Sequence, residues 1–259
     1  MHASQSRATR SSDGPTGSAE DPYEADEDGD ADVRADETRQ CILEAALRHV
    51  GKEGWSVAAL QAGARECGLS PAAAALVPDG EAGLVQHFVE RCNERLVGEL
   101  AARRAELAAM RVPDRIRTAV RLRLEMLAPV MDTWPQALAI QARPGSMPAA
   151  ARALAALADD IWHAAGDTSA DYNWYTKRAL LAGVIGATEL FMITDFSPGY
   201  ADTWAALDRR LRDVTQLGKA ASQARDFAGR VAAGLETFMS SMGERAQQPR
   251  PADKEESKL

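Results

Sequence analysis

Residues 39–67 read RQCILEAALRHVGKEGWSVAALQAGAREC, and this stretch decides the fold because it contains two helices joined by a short turn. The first helix is predicted to begin at about Arg39 and to stop between Gly51 and Gly54. Ser56 is a typical N-cap for a second helix that runs to Cys67. The apolar residues of the first helix recur at helical spacing on one face, namely Ile42, Leu43, Ala46, Leu47 and Val50.

The next segments extend this pattern into a head of three short helices followed by a long one. Gly68 provides a turn, and Ser70-Pro71 starts a short third helix that ends before Pro78. A fourth helix is predicted from about Glu81 to Met110. Residues 36–100 therefore have the element order of a helix-turn-helix head.

The rest of the foldable chain is also predicted to be helical, so the fold class is all-α. Alanine and leucine recur throughout, whereas alternating patterns are scarce. Residues 101–217 are predicted to form a helical bundle, followed by an amphipathic helix over 218–243 and a disordered tail over 244–259. The bundle helices are predicted from Pro113 onward and over about 136–142, 148–165, 171–194 and 200–217.

Composition limits the classes of function. Hydrophobic residues make up 46% of the 259 residues, and a polar start and end leave a foldable part suited to one core. The net charge of −8 gives no general attraction to nucleic acid phosphates. The longest uncharged stretch is about a dozen residues, short of the ~20 that span a bilayer. We therefore expect neither a nucleic-acid ligand nor a membrane-spanning helix.

The N-terminal residues 1–35 are predicted to be disordered. Residues 1–12 contain Arg7, Arg10 and several hydroxyl side chains but no acid, which is typical of a transit-peptide remnant. From Glu20 to Glu37 there are ten acidic residues against Arg34 alone. Such a block repels itself, which favours a disordered segment.

The three cysteines predict no metal site and no disulfide framework. Cys41, Cys67 and Cys92 are odd in number, and their wide spacing is unlike a CxxC motif. The interpretation that fits is that they are buried or free thiols in a reducing compartment.

The head resembles the N-terminal domain of TetR-family regulators, in which the third helix enters the major groove of DNA. Here that segment, residues 70–81, reads SPAAAALVPDGE and contains no cation and few groups able to contact bases. Between Asp36 and Leu100 ten acids face six bases, so phosphate would be repelled. We expect a degenerate head, and a TetR-type regulator with a lipid ligand is the alternative function.

A longer match narrows the family. Residues 159–181 read DDIWHAAGDTSADYNWYTKRALL, and together with Trp134-Pro135 and Asp202-Thr203-Trp204 they resemble the mitochondrial accessory lipid-binding family of coenzyme Q (ubiquinone) biosynthesis, which has a TetR-like fold. The resemblance covers about residues 36–240. It implies a homodimer that binds isoprenoid quinone intermediates and phospholipids, peripheral to the matrix side of the mitochondrial inner membrane. It also implies presentation of the quinone to the di-iron demethoxyubiquinone hydroxylase.

The same family resemblance implies a partner-binding patch for that hydroxylase. Trp, Tyr and Arg beside acidic residues are common in interface hot spots. The alternative is that Trp174 and Tyr175 only pack the loop onto the core. Ile161 departs from the family, in which methionine is usual. The patch maps onto Asp160, Ile161, Trp162, Asp171, Trp174, Tyr175 and Arg178.

No catalytic or metal site is predicted, and no cofactor. Asp159, Asp160 and His163 lie within one helical turn, but a second ligand pair is missing, so capping or ion pairing is favoured for His163. The sequence has no GxSxG, P-loop or GxGxxG motif. The interpretation is a protein without enzymatic activity of its own.

An isoprenoid quinone needs a long apolar cavity, which helices can form between them. The sequence cannot separate residues that face a cavity from those of an ordinary core, and it leaves the lipid and its tail length open. Leu124, Leu190 and Met192 belong to a wider candidate set. The predicted lipid-binding residues are Leu127, Val130, Met131, Trp134, Leu138, Leu181, Val184 and Ile185.

The helix predicted over 218–243 has a bulky apolar stripe beside Lys and Arg, as in helices that lie at a bilayer interface. The alternative is that this stripe packs against the bundle or a second subunit, and the resemblance favours the membrane. The predicted membrane-binding residues are Phe227, Val231, Leu235, Phe238 and Met242.

Overall fold

The structure is a computed structural model that describes residues 24–167 and 172–217. Within these residues all regular structure is helical, which confirms the all-α class. The α-helices are α1 (Glu24–Leu47), α2 (Val50–Glu53), α3 (Val57–Glu66), α4 (Glu81–Ala102), α5 (Arg104–Ala109), α6 (Val112–Glu125), α7 (Trp134–Gln141), α8 (Met147–Ala164), α9 (Tyr172–Met192) and α10 (Ala201–Leu217). Short 3₁₀ helices cover Pro71–Leu76, Ala128–Val130 and Pro198–Tyr200.

Helix α1 begins well before its predicted start. It starts at Glu24, so the described part of the acidic block is helical where disorder was predicted over residues 1–35. Carboxylates near a helix N-terminus interact favourably with the helix dipole, and this opposes their mutual repulsion. The chain divides into two compact units between Thr38 and Arg39. The site described below lies in the second unit.

The head is held together by close contact between α1 and α3. A Cβ at Gly63 would lie 2.6 Å from the carbonyl oxygen of Ile42 and from the backbone nitrogen of Ala46, so only glycine permits this approach. Ser56 caps α3 as predicted, since its Oγ accepts a hydrogen bond from the backbone N–H of Ala59 at 3.4 Å. The sequence therefore predicted the start of α3 through a local capping rule.

This contact also overturns the prediction for two of the cysteines. Cys41 and Cys67 form a disulfide between α1 and the end of α3, with their Cα atoms 6.4 Å apart. Cys92 is a buried free thiol, and burial raises its pKa. The sequence separation of Cys41 and Cys67 hid the pairing because their proximity arises only when the two helices pack side by side.

The predicted third helix is only a 3₁₀ helix over Pro71–Leu76. Val77 adopts extended backbone angles, φ −83° and ψ 112°, as residues before a proline prefer, and Pro78 follows. The segment therefore has no room for the regular recognition helix that DNA-reading heads insert in the major groove.

The predicted long fourth helix is interrupted at Arg103, which separates α4 from α5. One hydrophobic core nevertheless runs from Ile42 to Leu207 and joins head and bundle. The Gln136 side chain accepts from the backbone N–H of Trp55 at 2.9 Å and donates to its carbonyl at 3.1 Å. None of the helices in the described ranges has the length and apolar character needed to cross a bilayer.

Candidate functional site

An apolar cavity of about 740 Å³ lies between α4, α6, α7, α8 and α9. Three of the six residues that α8 contributes are alanines, Ala150, Ala151 and Ala153, and Gly186 contributes no side chain from α9. These small residues leave the space between the helices unfilled. The lining includes Arg143 and Met147, whose side chains are exposed, so the cavity reaches the surface between α7 and α8.

Three of the eight predicted lipid-binding residues line this cavity: Trp134, Leu138 and Ile185. Leu124 and Leu190 from the wider candidate set line it as well. The other five lie outside the lining of this cavity. These five residues pack in or against the core: Leu127, Val130, Met131, Leu181 and Val184. Met192 from the wider candidate set is also buried and lies outside the lining.

One wall of the cavity carries a buried arginine that sequence analysis missed. Arg123 on α6 is 5% exposed, and its Nε donates to Oδ1 of Asn93 on α4 at 2.8 Å. Asn93 in turn donates from Nδ2 to the carbonyl of Ala153 at 3.4 Å, and both Arg123 and Asn93 line the cavity. Within the described ranges, the two terminal nitrogens of Arg123 have no hydrogen-bond partner.

Glu189 on α9 completes this polar wall. Its Oε1 accepts a hydrogen bond from the indole Nε1 of Trp134 at 2.6 Å, whereas Oε2 has no partner in the described part of the chain. Burial raises the pKa of Glu189, although the positive charge of Arg123 and the Trp134 hydrogen bond oppose that shift. The signal that could have revealed Glu189 is a charged residue interrupting an apolar run, as in GATELFM, whereas Arg123 lies in RLRLEML, where three of seven residues are charged and no single one stands out.

A second polar cluster lies where α8 meets α9, and we call it the α8–α9 corner. Arg178 is 8% exposed; its Nε donates to Oδ1 of Asp159, and its Nη1 donates to Oδ2 of Asp167 at 3.2 Å. Lys177 donates from Nζ to Oδ1 of Asp167 at 2.7 Å. The corner consists of Asp159, Asp160, Trp162, Asp167, Tyr175, Lys177 and Arg178.

A side chain of α6 fixes the backbone of the corner at the end of α8. The Arg115 guanidinium donates from Nη1 to the carbonyl of Ala165 at 3.0 Å. Gly166 adopts φ +90°, a conformation that favours glycine, and this turns the chain toward Asp167. Trp162 donates from Nε1 to the carbonyl of Lys177 at 3.0 Å, which ties α8 to α9.

The predicted partner-binding residues differ in what they expose at this corner. Tyr175 is 71% exposed, while Asp160 and Trp162 are half-buried. Burial and the nearby Asp159 carboxylate raise the pKa of Asp160, although His163 opposes the shift. Asp171 and the side chain of Trp174 lie outside the described residues.

Ile161 is fully buried in the core, so it presents no surface at the corner. The guanidinium of Arg178 is buried between two carboxylates. Both residues support the corner from its buried side. Sequence types common in interfaces also build buried ion pairs, so the pattern alone could not separate the two roles.

His163 is exposed at the end of α8 and makes no ion pair with a described residue. The chain over residues 24–167 and 172–217 brings no three His, Cys, Asp or Glu side chains together as a metal site. The predicted membrane-binding residues Phe227, Val231, Leu235, Phe238 and Met242 lie outside these ranges.

Comparison with known proteins finds a family profile and relatives that are similar to this chain. The family profile described as COQ9 matches residues 147–218, which contain α8, α9 and α10. The mitochondrial ubiquinone biosynthesis protein COQ9 of Rattus norvegicus is 39% identical over 242 residues, covering 90% of this chain and 77% of that protein. The Homo sapiens protein of the same name is 38% identical over 224 residues, covering 85% and 68%.

A solved TetR transcriptional regulator from Nitrosomonas europaea is similar in fold. The TM-score is 0.56 at 17% sequence identity, over 69% of this chain and 98% of the regulator. At that identity the similarity concerns the fold alone, and it confirms the predicted TetR-like class.

Proposed function

The chain belongs to the COQ9 family, and from that membership we propose that it acts in ubiquinone biosynthesis as a non-catalytic lipid-binding protein. In this role it takes up an isoprenoid quinone intermediate at the mitochondrial inner membrane, on the matrix side. It then presents the intermediate to the di-iron demethoxyubiquinone hydroxylase. The family resemblance predicted from residues 159–181 is confirmed by these relatives.

The cavity is the observation that carries the proposal. Its volume of about 740 Å³ is typical of small-molecule sites, and its walls are mainly apolar. The cavity opens beside Arg143 and Met147, so a long tail would extend through this opening.

Removing the tail from water drives the binding. Each buried methylene gains ~0.8 kcal/mol, so an isoprenoid lipid would cross the aqueous phase only slowly. The helix predicted over 218–243 would hold the protein on the membrane through its apolar stripe. Direct transfer between membrane, cavity and hydroxylase would then keep the tail covered.

The α8–α9 corner is the proposed docking surface for the hydroxylase. Tyr175 offers a largely exposed ring, and Trp162 and Asp160 lie half-buried beside it. The ion pairs of Arg178 hold α8 and α9 in one arrangement, so the surface is already formed before a partner arrives.

The test fills the cavity without disturbing the fold. A Cβ at Gly186 meets no atom within 4 Å, and Gly186 lines the cavity, so Gly186→Leu places its side chain in the ligand space. Gly98→Leu on α4 is the matched control, since Gly98 has the same open surroundings and lies outside the cavity lining. Both changes favour the helix by about 0.5–1 kcal/mol.

Native mass spectrometry of the purified full chain then measures co-purifying lipid. We expect Gly186→Leu to lose at least tenfold of the bound isoprenoid lipid while the unfolding temperature is kept or raised. Equal lipid in both variants would contradict cavity binding. A Tyr175→Lys variant in the same experiment should keep its lipid but lose its complex with the hydroxylase.

A further inference from the structure

The polar wall of the cavity is an unusual place for an arginine. Arg123 is more than nine-tenths buried and lines the cavity, and among the described residues it makes a hydrogen bond through its Nε alone. The fully buried side-chain atoms without a partner in the described residues are Trp55 Nε1 and Arg210 Nη1, so the terminal nitrogens of Arg123 are not sealed in the core and reach the cavity space. A ligand in the cavity can therefore supply an acceptor for them.

Glu189 offers the opposite chemistry to the same space. One carboxyl oxygen is held by the indole of Trp134 at 2.6 Å, and the other has no partner in the described ranges. Arg123 comes from α6 and Glu189 from α9, and the two side chains form no ion pair within 4.0 Å of each other. The cavity thus presents a donor and an acceptor separately within an apolar wall.

We propose that Arg123 and Glu189 recognise the oxygenated ring of a tailed phenol or hydroquinone. A ring hydroxyl donates to the second oxygen of Glu189, and another ring oxygen accepts from the terminal nitrogens of Arg123. The proposal rests on the proposed function and deepens it, because it names the residues that orient the ring while the apolar walls take the tail.

An uncharged ring fits this wall better than an anion does. A carboxylate or phosphate would be attracted by Arg123 but would have to be desolvated beside the carboxyl group of Glu189, which has no donor to offer it when ionised. A phenol or hydroquinone brings donors and acceptors together at a smaller desolvation cost. The Trp134 ring lies in the same wall and adds an apolar surface for the aromatic head.

Three probes with one tail separate head recognition from tail binding. Geranylhydroquinone carries the ring oxygens, geranylbenzene lacks them, and 4-geranylbenzoate carries an anion in their place. Each is titrated anaerobically into the full chain, with binding followed by tryptophan fluorescence. We expect wild-type protein to bind geranylhydroquinone at least tenfold more tightly than either of the other probes.

Substitutions in the cavity wall test which residues cause the preference for geranylhydroquinone. Arg123→Met should weaken geranylhydroquinone at least tenfold and leave geranylbenzene within twofold. Glu189→Gln should weaken geranylhydroquinone several-fold, and it keeps an acceptor for Trp134, so it tests the wall if Arg123→Met does not fold. Arg95→Met is the control, because Arg95 on α4 is exposed, pairs with Glu99 and is outside the lining.

Each contrary result has a distinct meaning. Equal loss of geranylhydroquinone and geranylbenzene in Arg123→Met would show a structural role and overturn the proposal. Preferred binding of 4-geranylbenzoate would overturn the choice of an uncharged head. Failure of wild-type protein to bind any of the three probes would instead contradict the proposed lipid-binding function.

Discussion

Two buried arginines, Arg178 and Arg123, lie in regions of the molecule that differ in the number of polar partners they provide. At the α8–α9 corner, Arg178 lies between the carboxylates of Asp159 and Asp167. In the cavity wall, Arg123 makes one hydrogen bond, to Asn93. Both side chains are less than one-tenth exposed, so burial alone does not distinguish them.

The difference lies in how many of the N–H groups of each guanidinium have a hydrogen-bond acceptor within the described part of the protein. A buried ion pair with its hydrogen bonds made holds elements in register, and removing one partner leaves an uncompensated charge. A buried guanidinium with unmatched donors costs stability in the unliganded protein and is retained where something else uses it. The first pattern indicates structural support, and the second indicates a binding wall.

The largest effect is expected from breaking the corner. Arg178→Met should lower the free energy of unfolding by about 2 kcal/mol, because it removes buried charged hydrogen bonds to Asp159 and Asp167, although Asp167 keeps its ion pair with Lys177. Urea unfolding at pH 7 measures this change. Arg95→Met removes a surface pair with Glu99 and should cost about 0.5 kcal/mol.

A loss equal to that of the surface control would mean that the Arg178 ion pairs do not support the corner. In that case Arg178 would return as a candidate for direct partner contact, as the sequence first indicated.

An intermediate effect is expected in the cavity wall. Arg123→Met should cost about 1 kcal/mol, since it removes one hydrogen bond to Asn93 but also relieves the burial of a poorly matched charge. The same urea titration, on lipid-free protein, gives the value. A cost as large as that of Arg178→Met would break the comparison, because it would show that Arg123 is already fully used by the fold.

The smallest effect is expected from Glu189→Gln, and it depends on pH. The folded-state pKa of Glu189 is raised by burial, so its contribution to stability is present below the unfolded pKa and is lost as pH rises through the folded pKa. Glu189→Gln removes this dependence. The difference in unfolding free energy between variant and wild type should therefore move in favour of the variant as pH rises from 4 to 8.

Unfolding titrations at several pH values, with Glu125→Gln as the exposed control, follow that difference. A difference that stays constant over this range would mean that Glu189 is not held in a low-dielectric wall.

Much of the helical framework followed from the sequence because its signals are local. Residues 148–165 were predicted as a helix and α8 covers Met147–Ala164; residues 171–194 were predicted and α9 covers Tyr172–Met192. Helical periodicity and capping depend on neighbours within a few positions, as at Ser56. The same reasoning located the third helix but not its type, because a six-residue segment can form an α-helix, as α5 does, or the 3₁₀ helix found over Pro71–Leu76.

The candidate site followed from the sequence only in part. Ile185 lines the cavity and Val184 is buried core, although both are aliphatic residues on one helix. Which of them meets empty space depends on the small residues of α8 that pack opposite. The sequence of α9 alone does not show which of the two residues faces small side chains of α8, so it could not distinguish the cavity position from the core position.

The sequence by itself determined the all-α class, the positions of the bundle helices and the family, because each is written in contiguous residues. The tertiary structure alone decided that Cys41 meets Cys67, that Ile161 is covered and that Arg123 and Glu189 share one cavity. These facts depend on which helix faces come together. Such packing joins residues tens of positions apart, and no local pattern encodes it.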